Sequence, residues 1–489
     1  MKELLIIVIS YTIVSHVCCC DFEYPTFPDG FKFGAAISSY QSEGAWNVSD
    51  KGVNDFDHWT HTCPECIGDR SNGDIACDSY HKYKEDVKLL RKIGFKFYRF
   101  SISWARILPS GLANNVSKDG IMYYKNFINE LYMNGIEPLV TLYHFDHPQG
   151  LEDMGGWTNE LMTQWFVDYA NIIFTEFGPS VRIFITINEP STLCTGYQAT
   201  YVAPSKPLGD VGYYLCMHNV LKAHAMAYHL YDKKFRPSQH GLISIAIACD
   251  GYTLNENNDV VSAETYFEFT CGIMAHPIFI GDYPAIVKER LALVSKSQGY
   301  TVSRLPTFSP EWISYIKGTV DYFALNHYTS NLVSPDPDEL HGIHNSDSGL
   351  LTNQHPSWPN SSSFWLRVYP DGFGNLLRKI KTDYNNPEIY VTENGFSDYG
   401  ELQDYDRINY FRLYLKELII AVTRDGCRIS RYTVWSLLDN WQLAAGYAVS
   451  FGVVKVDFNS PNRERTLKLS AAWWADVIGT HTLQDVPSK

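Results

Sequence analysis

Apolar runs rich in β-branched and aromatic residues recur along the chain, and most are followed by a loop and an amphipathic stretch. Eight of these runs have the length and composition of buried strands. They are Phe33–Ser38, Phe95–Ser101, Pro138–Tyr143, Arg182–Ile187, Ile243–Ala248, Val320–Asn326, Ile389–Glu393 and Arg431–Ser436. Six amphipathic stretches predict helices. They are Asp78–Ile93, Met122–Met133, Glu160–Phe177, Gly212–Lys234, Tyr405–Thr423 and Lys468–Ile478.

Alternation of strands and helices is typical of α/β proteins with a parallel sheet. Eight such units in one chain favour a single (β/α)8 TIM barrel with long loops after the strands. An open doubly wound sheet is the alternative, and it usually has a glycine-rich turn after its first strand. Here the first run leads into Ser38-Ser39-Tyr40-Gln41, which contains no glycine. The closed barrel is therefore the predicted fold.

Length and charge limit the number of domains and the class of partner. A chain of 489 residues could hold two or three domains, but no linker or break in composition divides it, so we predict one barrel domain over residues 21–489. The net charge of −14 argues against a nucleic-acid partner, which requires a basic surface. Aromatic residues make up 15% of the chain. They suit a large core, and they can also stack on sugar rings.

Residues 1–20 have the features of a secretory signal peptide. An apolar run from Leu4 to Val17 is followed by three cysteines and Asp21, a plausible cleavage point. The run is too short for a membrane-spanning helix, which needs ~20 residues; a buried N-terminal helix is the alternative. Glycosylation sequons begin at Asn47, Asn115 and Asn360. Together these features predict a secreted, extracellular glycoprotein.

Eight cysteines remain after residue 20, and an even number in a secreted chain permits disulfides whose pairing stays open. They are Cys63, Cys66, Cys77, Cys194, Cys216, Cys249, Cys271 and Cys427. Cys63 and Cys66 could also be half of a zinc site, but no second pair follows at a useful spacing. We therefore predict no metal site.

Polar residues stand where most of the predicted strands end, and in a barrel the chemistry gathers at that end. They include Gln41, Arg99, His144, Asn188, Glu189, Asn326, Tyr328, Glu393 and Trp435. Each has a structural alternative, since a carboxylate after a strand often caps the next helix. However, Glu189 and Glu393 both end strongly apolar runs far apart in the chain, so only the fold brings them together.

A pair of carboxylates is suited to glycoside hydrolysis. One carboxyl must be protonated to give a proton to the leaving oxygen, and the other must be ionised to attack the anomeric carbon or to activate water. An arginine beside one glutamate would keep that glutamate ionised and mark it as the nucleophile. Amides such as those of Asn188 and Gln41 can hold sugar hydroxyls, and a tryptophan can stack under the ring.

The motifs at these positions resemble those of glycoside hydrolase family 1, the retaining β-glucosidase-like enzymes, and most of all the insect members. The resemblance extends from about Phe27 to Ile478. Its motifs are Phe31–Ala36, Tyr40–Trp46, Tyr98–Trp104, Tyr143–Gln149, Thr186–Pro190, Val391–Gly395 and Trp435–Asn440. A family member would be an O-glycosyl hydrolase that acts on small β-glycosides without a metal or organic cofactor, membrane or nucleic-acid partner.

The resemblance also implies roles for individual residues. Glu189 would be the general acid/base and Glu393 the nucleophile, steadied by Arg99 and Tyr328. The implied sugar-binding residues are Gln41, His144, Asn188, Asn326, Trp435 and Gln442. Retention of configuration implies that the two carboxyl groups lie roughly 5 Å apart.

The chain departs from the family after Asn440. Family members usually have the sequence Phe-Glu-Trp there. The glutamate holds the 4- and 6-hydroxyls of the sugar, and the tryptophan holds the 3-hydroxyl. An arginine is also common at the position of residue 450. This chain has Trp441-Gln442-Leu443 and Ser450. Three hypotheses follow: a β-glycosidase with altered sugar preference, a thioglucosidase (myrosinase) that splits glucosinolates, or a secreted carbohydrate-binding protein without turnover. The second hypothesis needs a cationic pocket for the sulfate, which the sequence does not reveal.

Overall fold

The computed structural model describes residues 26–254, 259–336 and 347–488. The predicted signal peptide over residues 1–20 lies outside the described residues. The described part contains thirteen strands: β1 (Lys32–Ile37), β2 (Phe97–Ser101), β3 (Glu137–Tyr143), β4 (Ile183–Asn188), β5 (Leu242–Ala248), β6 (Gly251–Leu254), β7 (Phe323–Asn326), β8 (Ser330–Pro335), β9 (Leu350–Asn353), β10 (Ile389–Asn394), β11 (Ile429–Trp435), β12 (Val454–Val456) and β13 (Arg465–Leu467).

Eight parallel strands close into a barrel in the order β1, β11, β10, β7, β5, β4, β3 and β2. All eight predicted strands are barrel strands, so the (β/α)8 barrel is confirmed and the open sheet is wrong. Nearly every residue of these strands is buried, because helices cover the outer face and side chains fill the inner one. Burial on both faces explains why the strands are continuous apolar runs rather than alternating ones.

The helices surround the barrel or lie in its long loops. The α-helices are α1 (Ser39–Ser42), α2 (Asp55–Thr62), α3 (Ser79–Ile93), α4 (Trp104–Ile107), α5 (Lys118–Met133), α6 (Gln149–Asp153), α7 (Leu161–Phe177), α8 (Pro190–Thr195), α9 (Gly209–Leu230), α10 (Arg236–Gln239), α11 (Val260–Phe267), α12 (Ile273–Phe279), α13 (Ala285–Ser297), α14 (Pro310–Ile316), α15 (Pro370–Asp383), α16 (Tyr405–Thr423) and α17 (Leu469–Thr480). The six predicted helices correspond to α3, α5, α7, α9, α16 and α17.

The sequence pattern did not predict α11–α14, between β5 and β7, or α15. In the first region the helical path is broken into short pieces, with a π-helical turn over Glu268–Gly272 and a proline inside α12. In α15 the buried residues Phe373, Leu376, Leu377 and Ile380 do have helical spacing. Gly372 and Gly374 weaken this helical pattern in the sequence, because glycine is a poor helix former.

The lower interior of the barrel is filled by a separate apolar cluster. Its members come mostly from the first halves of the barrel strands: Phe97, Leu139, Ile183, Ile185, Ala246, Tyr322, Ala324 and Tyr390. This layer leaves the carboxyl ends of the strands for polar residues, as is usual in this fold. Two small sheets lie outside the barrel, one of β6, β8 and β9 and one of β12 and β13. Within the described ranges, no helix is long and apolar enough to cross a bilayer.

Candidate active site

The two glutamates predicted for catalysis meet at the carboxyl end of the barrel. Glu393 lies near the end of β10, and Glu189 follows β4 directly. Glu189 precedes α8, but its side chain makes no capping hydrogen bond, so the capping alternative is wrong. Its backbone is left-handed, with φ 38° and ψ 71°. That conformation is uncommon for a residue with a side chain and costs about 1–3 kcal/mol, which is typical of functional positions.

Both oxygens of the Glu393 carboxylate are held by charged or phenolic donors. Arg99 Nη1 on β2 donates to Oε1 at 2.5 Å, and Tyr328 donates its hydroxyl to Oε2 at 2.7 Å. Burial, followed by the charge of Glu393, raises the pKa of Tyr328 well above its usual value, so the phenol keeps its proton and remains a donor. Charge-assisted hydrogen bonds of this kind stabilise the anionic carboxylate.

Glu189 has different surroundings. Asn326 Nδ2 donates to Glu189 Oε1 at 2.7 Å and Thr192 Oγ1 donates to Oε2 at 2.8 Å, with no cation in contact among the described residues. Burial, then the negative charge of Glu393, raises the pKa of Glu189 to about 7. Glu189 can therefore hold a proton near neutral pH, as a general acid must.

Asn188 and Asn326 join the two glutamates into one network. Asn188 Oδ1 accepts from Arg99 Nη2 at 2.5 Å and from Asn326 Nδ2 at 3.1 Å. Thr392 Oγ1 donates to Asn326 Oδ1 at 2.7 Å. Each amide is thereby fixed in orientation by at least one partner. The sequence pattern did not single out Thr192 or Thr392, since a threonine beside a glutamate carries no distinctive signal.

Among the remaining predicted sugar-binding residues, His144 adjoins this network, with 3.3 Å between His144 Nε2 and Asn188 Nδ2. The rings of His144 and Trp435 are nearly parallel, 10° apart in orientation, with their centres 5.8 Å apart. Burial, then the charge of Arg99, lowers the pKa of His144 well below its usual value, so the imidazole is neutral and can both donate and accept. Gln41 and Gln442 both donate to Asn440 Oδ1, at 3.1 and 2.8 Å.

These side chains line one cleft of about 430 Å³. Every residue predicted for catalysis or sugar binding lines it directly except Arg99, which lies behind Glu393. The outer lining is aromatic, with Phe364 95%, Tyr201 55% and Trp365 41% exposed. No lysine or arginine lines the cleft among the residues that the structure describes. The sequence pattern missed these three aromatic residues because they lie on loops.

The positions that depart from the family are divided between the cleft and its surroundings. Gln442 and Leu443 both line the cleft, together with Ala444 and Ala445. Ser450 does not line it; its backbone pairs with that of Asp398 at 2.9 Å in both directions. The cleft is thus bounded on this side by one amide and a short apolar turn.

Six cysteines form three disulfides, which settles the pairing that the sequence left open. They are Cys63–Cys66, Cys194–Cys216 and Cys249–Cys271. Cys77 and Cys427 are buried and free. The CxxC pair that could have been half of a zinc site is therefore a disulfide, and no cluster of metal-binding side chains occurs within residues 26–254, 259–336 and 347–488.

Comparison with known proteins gives the same picture. The model of glycosyl hydrolase family 1 matches residues 23–483. Myrosinase 1 of Brevicoryne brassicae is 45% identical over 459 residues, which cover 93% of this chain and 98% of the relative. The cytosolic β-glucosidase of Homo sapiens is 40% identical over 471 residues, covering 94% and 99%.

Solved structures agree with this assignment. Aphid myrosinase superposes with a TM-score of 0.90 at 44% identity, over 94% of this chain and 100% of that one. A rice β-glucosidase superposes with a TM-score of 0.86 at 35% identity, over 92% and 98%. The chain therefore belongs to glycosyl hydrolase family 1 and is a glycosidase with β-glucosidase-like activity.

Proposed function

We propose that the protein hydrolyses O-linked β-glucosides with retention of configuration, by two displacements at Glu393 and Glu189. One observation carries the proposal. A carboxylate held on both oxygens by Arg99 and Tyr328 lies in the same buried network as a carboxyl group whose pKa is raised to about 7. Glu189 can hold a proton near neutral pH, while the donors Arg99 and Tyr328 stabilise the charged form of Glu393, and glycoside cleavage requires one carboxyl of each kind.

In the first step, Glu393 Oε attacks the anomeric carbon and forms a glycosyl ester. The bond from that carbon to the leaving oxygen breaks, and Glu189 gives its proton to the oxygen, so the aglycone departs as a neutral alcohol. Esterification removes the negative charge of Glu393, which is the second cause of the raised pKa of Glu189. The pKa of Glu189 then falls, which suits its next role as a base.

In the second step, water attacks the anomeric carbon while Glu189 takes a proton from it. The ester bond breaks, Glu393 regains its charge, and Glu189 is again protonated. Two inversions at one carbon give net retention.

Substitution Glu189→Gln tests the acid role. With this variant, kcat/KM on methyl β-glucoside should fall by at least 10³-fold, because an alkoxide is a poor leaving group. On 2,4-dinitrophenyl β-glucoside it should fall less than tenfold, because that phenolate leaves without a proton. The matched control is Glu268→Gln, a carboxyl whose pKa burial also raises to about 7 but which does not line the cleft. Equal losses on both substrates would contradict the acid role.

A thioglucosidase is the second candidate, since a myrosinase is among the similar proteins in both the sequence and the structure comparisons. A glucosinolate carries a sulfate, whose binding favours a lysine or arginine, and none lines the cleft in the described ranges. We therefore expect p-nitrophenyl β-glucoside to be hydrolysed at least 100-fold more efficiently than a glucosinolate. The reverse ratio would establish the thioglucosidase instead.

We also propose that Gln442 and Leu443 alter the sugar preference. A neutral amide holds a hydroxyl less strongly than a carboxylate, by about 1 kcal/mol, and the side chain of Leu443 cannot donate. The double reversion Gln442→Glu with Leu443→Trp should raise kcat/KM for p-nitrophenyl β-glucoside relative to the β-fucoside by roughly tenfold. An unchanged ratio would show that these positions do not set the preference.

Secretion and glycosylation complete the proposal. Asn47, Asn115 and Asn360 are all exposed, and three disulfides suit an oxidising compartment. Expression of the full chain in insect cells, followed by treatment with an N-glycosidase, tests this. We expect the protein in the medium, with a mass decrease on treatment that is lost when all three asparagines are changed to glutamine. Retention in the cytosol without glycans would contradict it.

A further inference from the structure

A cavity of about 360 Å³ shares one wall with the catalytic cleft. That wall is the hairpin 359–368, which is closed by an antiparallel bridge between Asn360 and Arg367. Residues 360–362 line the cavity, whereas residues 363–365 line the cleft. We propose that the first sugar of an N-linked glycan on Asn360 packs in this cavity, the hairpin cavity, and braces the hairpin. The inference rests on the proposed glycosylation of Asn360.

The position of the sequon supports this assignment. Asn360 is exposed and also lines the hairpin cavity, so a sugar joined to its amide begins at the cavity. The cavity has the volume of a small-molecule site, about 300–1,000 Å³, which suits the N-acetylglucosamine that begins an N-linked glycan. The other two sequon asparagines, Asn47 and Asn115, are exposed as well but do not line the cavity. They therefore serve as internal references for Asn360.

The lining of the hairpin cavity has the chemistry of a carbohydrate site. Phe396, Tyr399 and Tyr405 supply aromatic rings, whose faces pack against the C–H faces of pyranoses. Tyr399 is 76% exposed, so a sugar packed against it would remove apolar surface from water. Glu401 and Gln403 are exposed and can accept from sugar hydroxyls, and the Gln403 amide can also donate to the acetamide carbonyl.

Charge argues against other occupants of the hairpin cavity. Arg407 is the only cation in its lining within the described ranges, and it is buried. Its nitrogens already donate to Asp404 at 2.9 Å, to the Ser450 carbonyl at 3.0 Å and to the Phe396 carbonyl. An anionic ligand would therefore meet carboxylates such as Glu401 without a cation to pair with. No group of three metal-binding side chains occurs in the described part of the chain, so the lining favours a neutral ligand.

The contacts of the hairpin explain what a packed sugar would add. The hairpin is joined to the segment after β10 by small polar groups, with the Ser362 amide donating to the Ser397 carbonyl at 3.1 Å. Ser362 Oγ donates to the Asp398 carbonyl at 2.9 Å. A sugar bonded to Asn360 and packed against the segment after β10 would join the same two parts of the chain. It would thereby stabilise one wall of the cleft close to the strand of Glu393, without contacting the substrate.

The rate at which a peptide N-glycosidase releases each glycan tests the inference, because this enzyme must reach the bond between the asparagine and the first sugar. The full chain is expressed in cells that attach only oligomannose glycans. Release converts the asparagine to aspartate, which peptide mass spectrometry measures at each site. In the folded protein, we expect release from Asn360 to be at least tenfold slower than from Asn47 and Asn115, because a packed sugar must first move out of the cavity. After denaturation this difference should disappear.

A filling substitution shows whether the hairpin cavity is what protects the sugar. Gln403 is exposed and lines the cavity, so Gln403→Trp should displace the sugar and raise release from Asn360 to the rate at Asn115. The control is Leu402→Trp, which adds bulk at the neighbouring residue, 42% exposed and outside the cavity lining. It should leave release slow. If Gln403→Trp does not fold, Tyr399→Ala removes the exposed ring instead and should speed release from Asn360 about fivefold.

Bracing of the hairpin has its own readout, which is hydrogen exchange at the amides of residues 361–366. Exchange should be about tenfold faster in Asn360→Gln than in the parent protein, since opening of the hairpin becomes easier. In the control Asn115→Gln it should change less than twofold. Unchanged exchange in folded Asn360→Gln would contradict the bracing.

The outcomes separate this inference from the proposals on which it rests. Equal release from all three sites in the folded protein would overturn the packing of the sugar and leave the proposed glycosylation intact. Slow release that Gln403→Trp does not change would also overturn it, since another surface would then cover the sugar. An Asn360 peptide without a glycan would overturn both the packing and the proposed glycosylation at that residue. Hydrolysis of p-nitrophenyl β-glucoside tests the proposed enzyme activity separately.

Discussion

Glu189 and Glu393 carry the same functional group, and their neighbours give them opposite properties. Arg99 contacts Glu393 and stabilises its charge, while Glu189 has only the neutral donors Asn326 and Thr192 and is raised in pKa by burial and by Glu393. The sequence predicted both glutamates and Arg99 from their places at strand ends. It could not predict Thr192, because that hydrogen bond depends on the turn between β4 and α8.

The raised pKa of Glu189 predicts a limb in the pH profile. Glu189 must be protonated for the first step, so kcat/KM should fall about tenfold per pH unit above about pH 7. Steady-state kinetics on methyl β-glucoside from pH 5 to pH 9 would show this limb. In Glu189→Gln the limb should disappear, and its persistence there would assign it to another group.

The same pKa predicts an effect on stability. Folding raises the pKa of Glu189, so this residue stabilises the folded protein at low pH. That stabilisation is lost as the pH rises through about 7. At pH 8, the free energy of unfolding of the Glu189→Gln variant should therefore exceed that of the parent protein by up to ~3 kcal/mol, and the variant should unfold at a higher temperature. At pH 4 the two proteins should differ little. Calorimetry at the two pH values would measure it. A difference that is larger at pH 4 would have the wrong sign.

Tyr328 supplies one of the two donors to Glu393, which predicts the cost of losing it. Tyr328→Phe should lower kcat by 10–150-fold, since a hydrogen bond to a charged group contributes ~1.5–3 kcal/mol. The control is Tyr322→Phe in the lower barrel, where the hydroxyl donates only to the carbonyl of Phe184, at 3.0 Å. Similar losses for both variants would attribute the effect to packing.

At the scale of elements, the strands were predictable and the loop helices were not. Barrel strands such as β4 and β10 are buried on both faces, so packing itself demands apolar runs. The stretch from α11 to α14 follows no single period, because a π-helical turn and Pro277 break it into short pieces. The pairings Cys194–Cys216 and Cys249–Cys271 were likewise unpredictable, since each joins separate elements whose neighbourhood only the fold determines.

The disulfide between α8 and α9 predicts a stability effect at this scale. Cys194 and Cys216 are 22 positions apart, and closing a loop of that length stabilises a fold by about 3 kcal/mol. The double change to serine should lower the unfolding free energy by about that amount, measured by denaturant titration. The matched control is Cys63→Ser with Cys66→Ser, a loop of 3 positions, which should cost less. An equal or larger cost there would contradict the loop-length account.

At the scale of the whole molecule, the aromatic content divides into two roles. Trp104, Trp157 and Trp474 are fully buried in the core, whereas Phe364 and Tyr201 are exposed beside the cleft. The acidic charge of −14 argues against a nucleic-acid partner but does not identify a substrate. We propose the substrate class instead from the cleft, whose lining carries no cation within the described ranges. Much of that lining comes from loops, which the hydrophobic pattern does not describe.

The most direct test of the central claim is to trap the glycosyl ester. Incubation with 2-deoxy-2-fluoro-β-glucosyl fluoride slows the second step, and peptide mass spectrometry then locates the sugar. We predict a single fluoroglucosyl group on Glu393, with loss of activity in proportion to labelling. A label on Glu189 or on any other residue, or full activity after stoichiometric labelling, would contradict the assignment of Glu393 as the nucleophile.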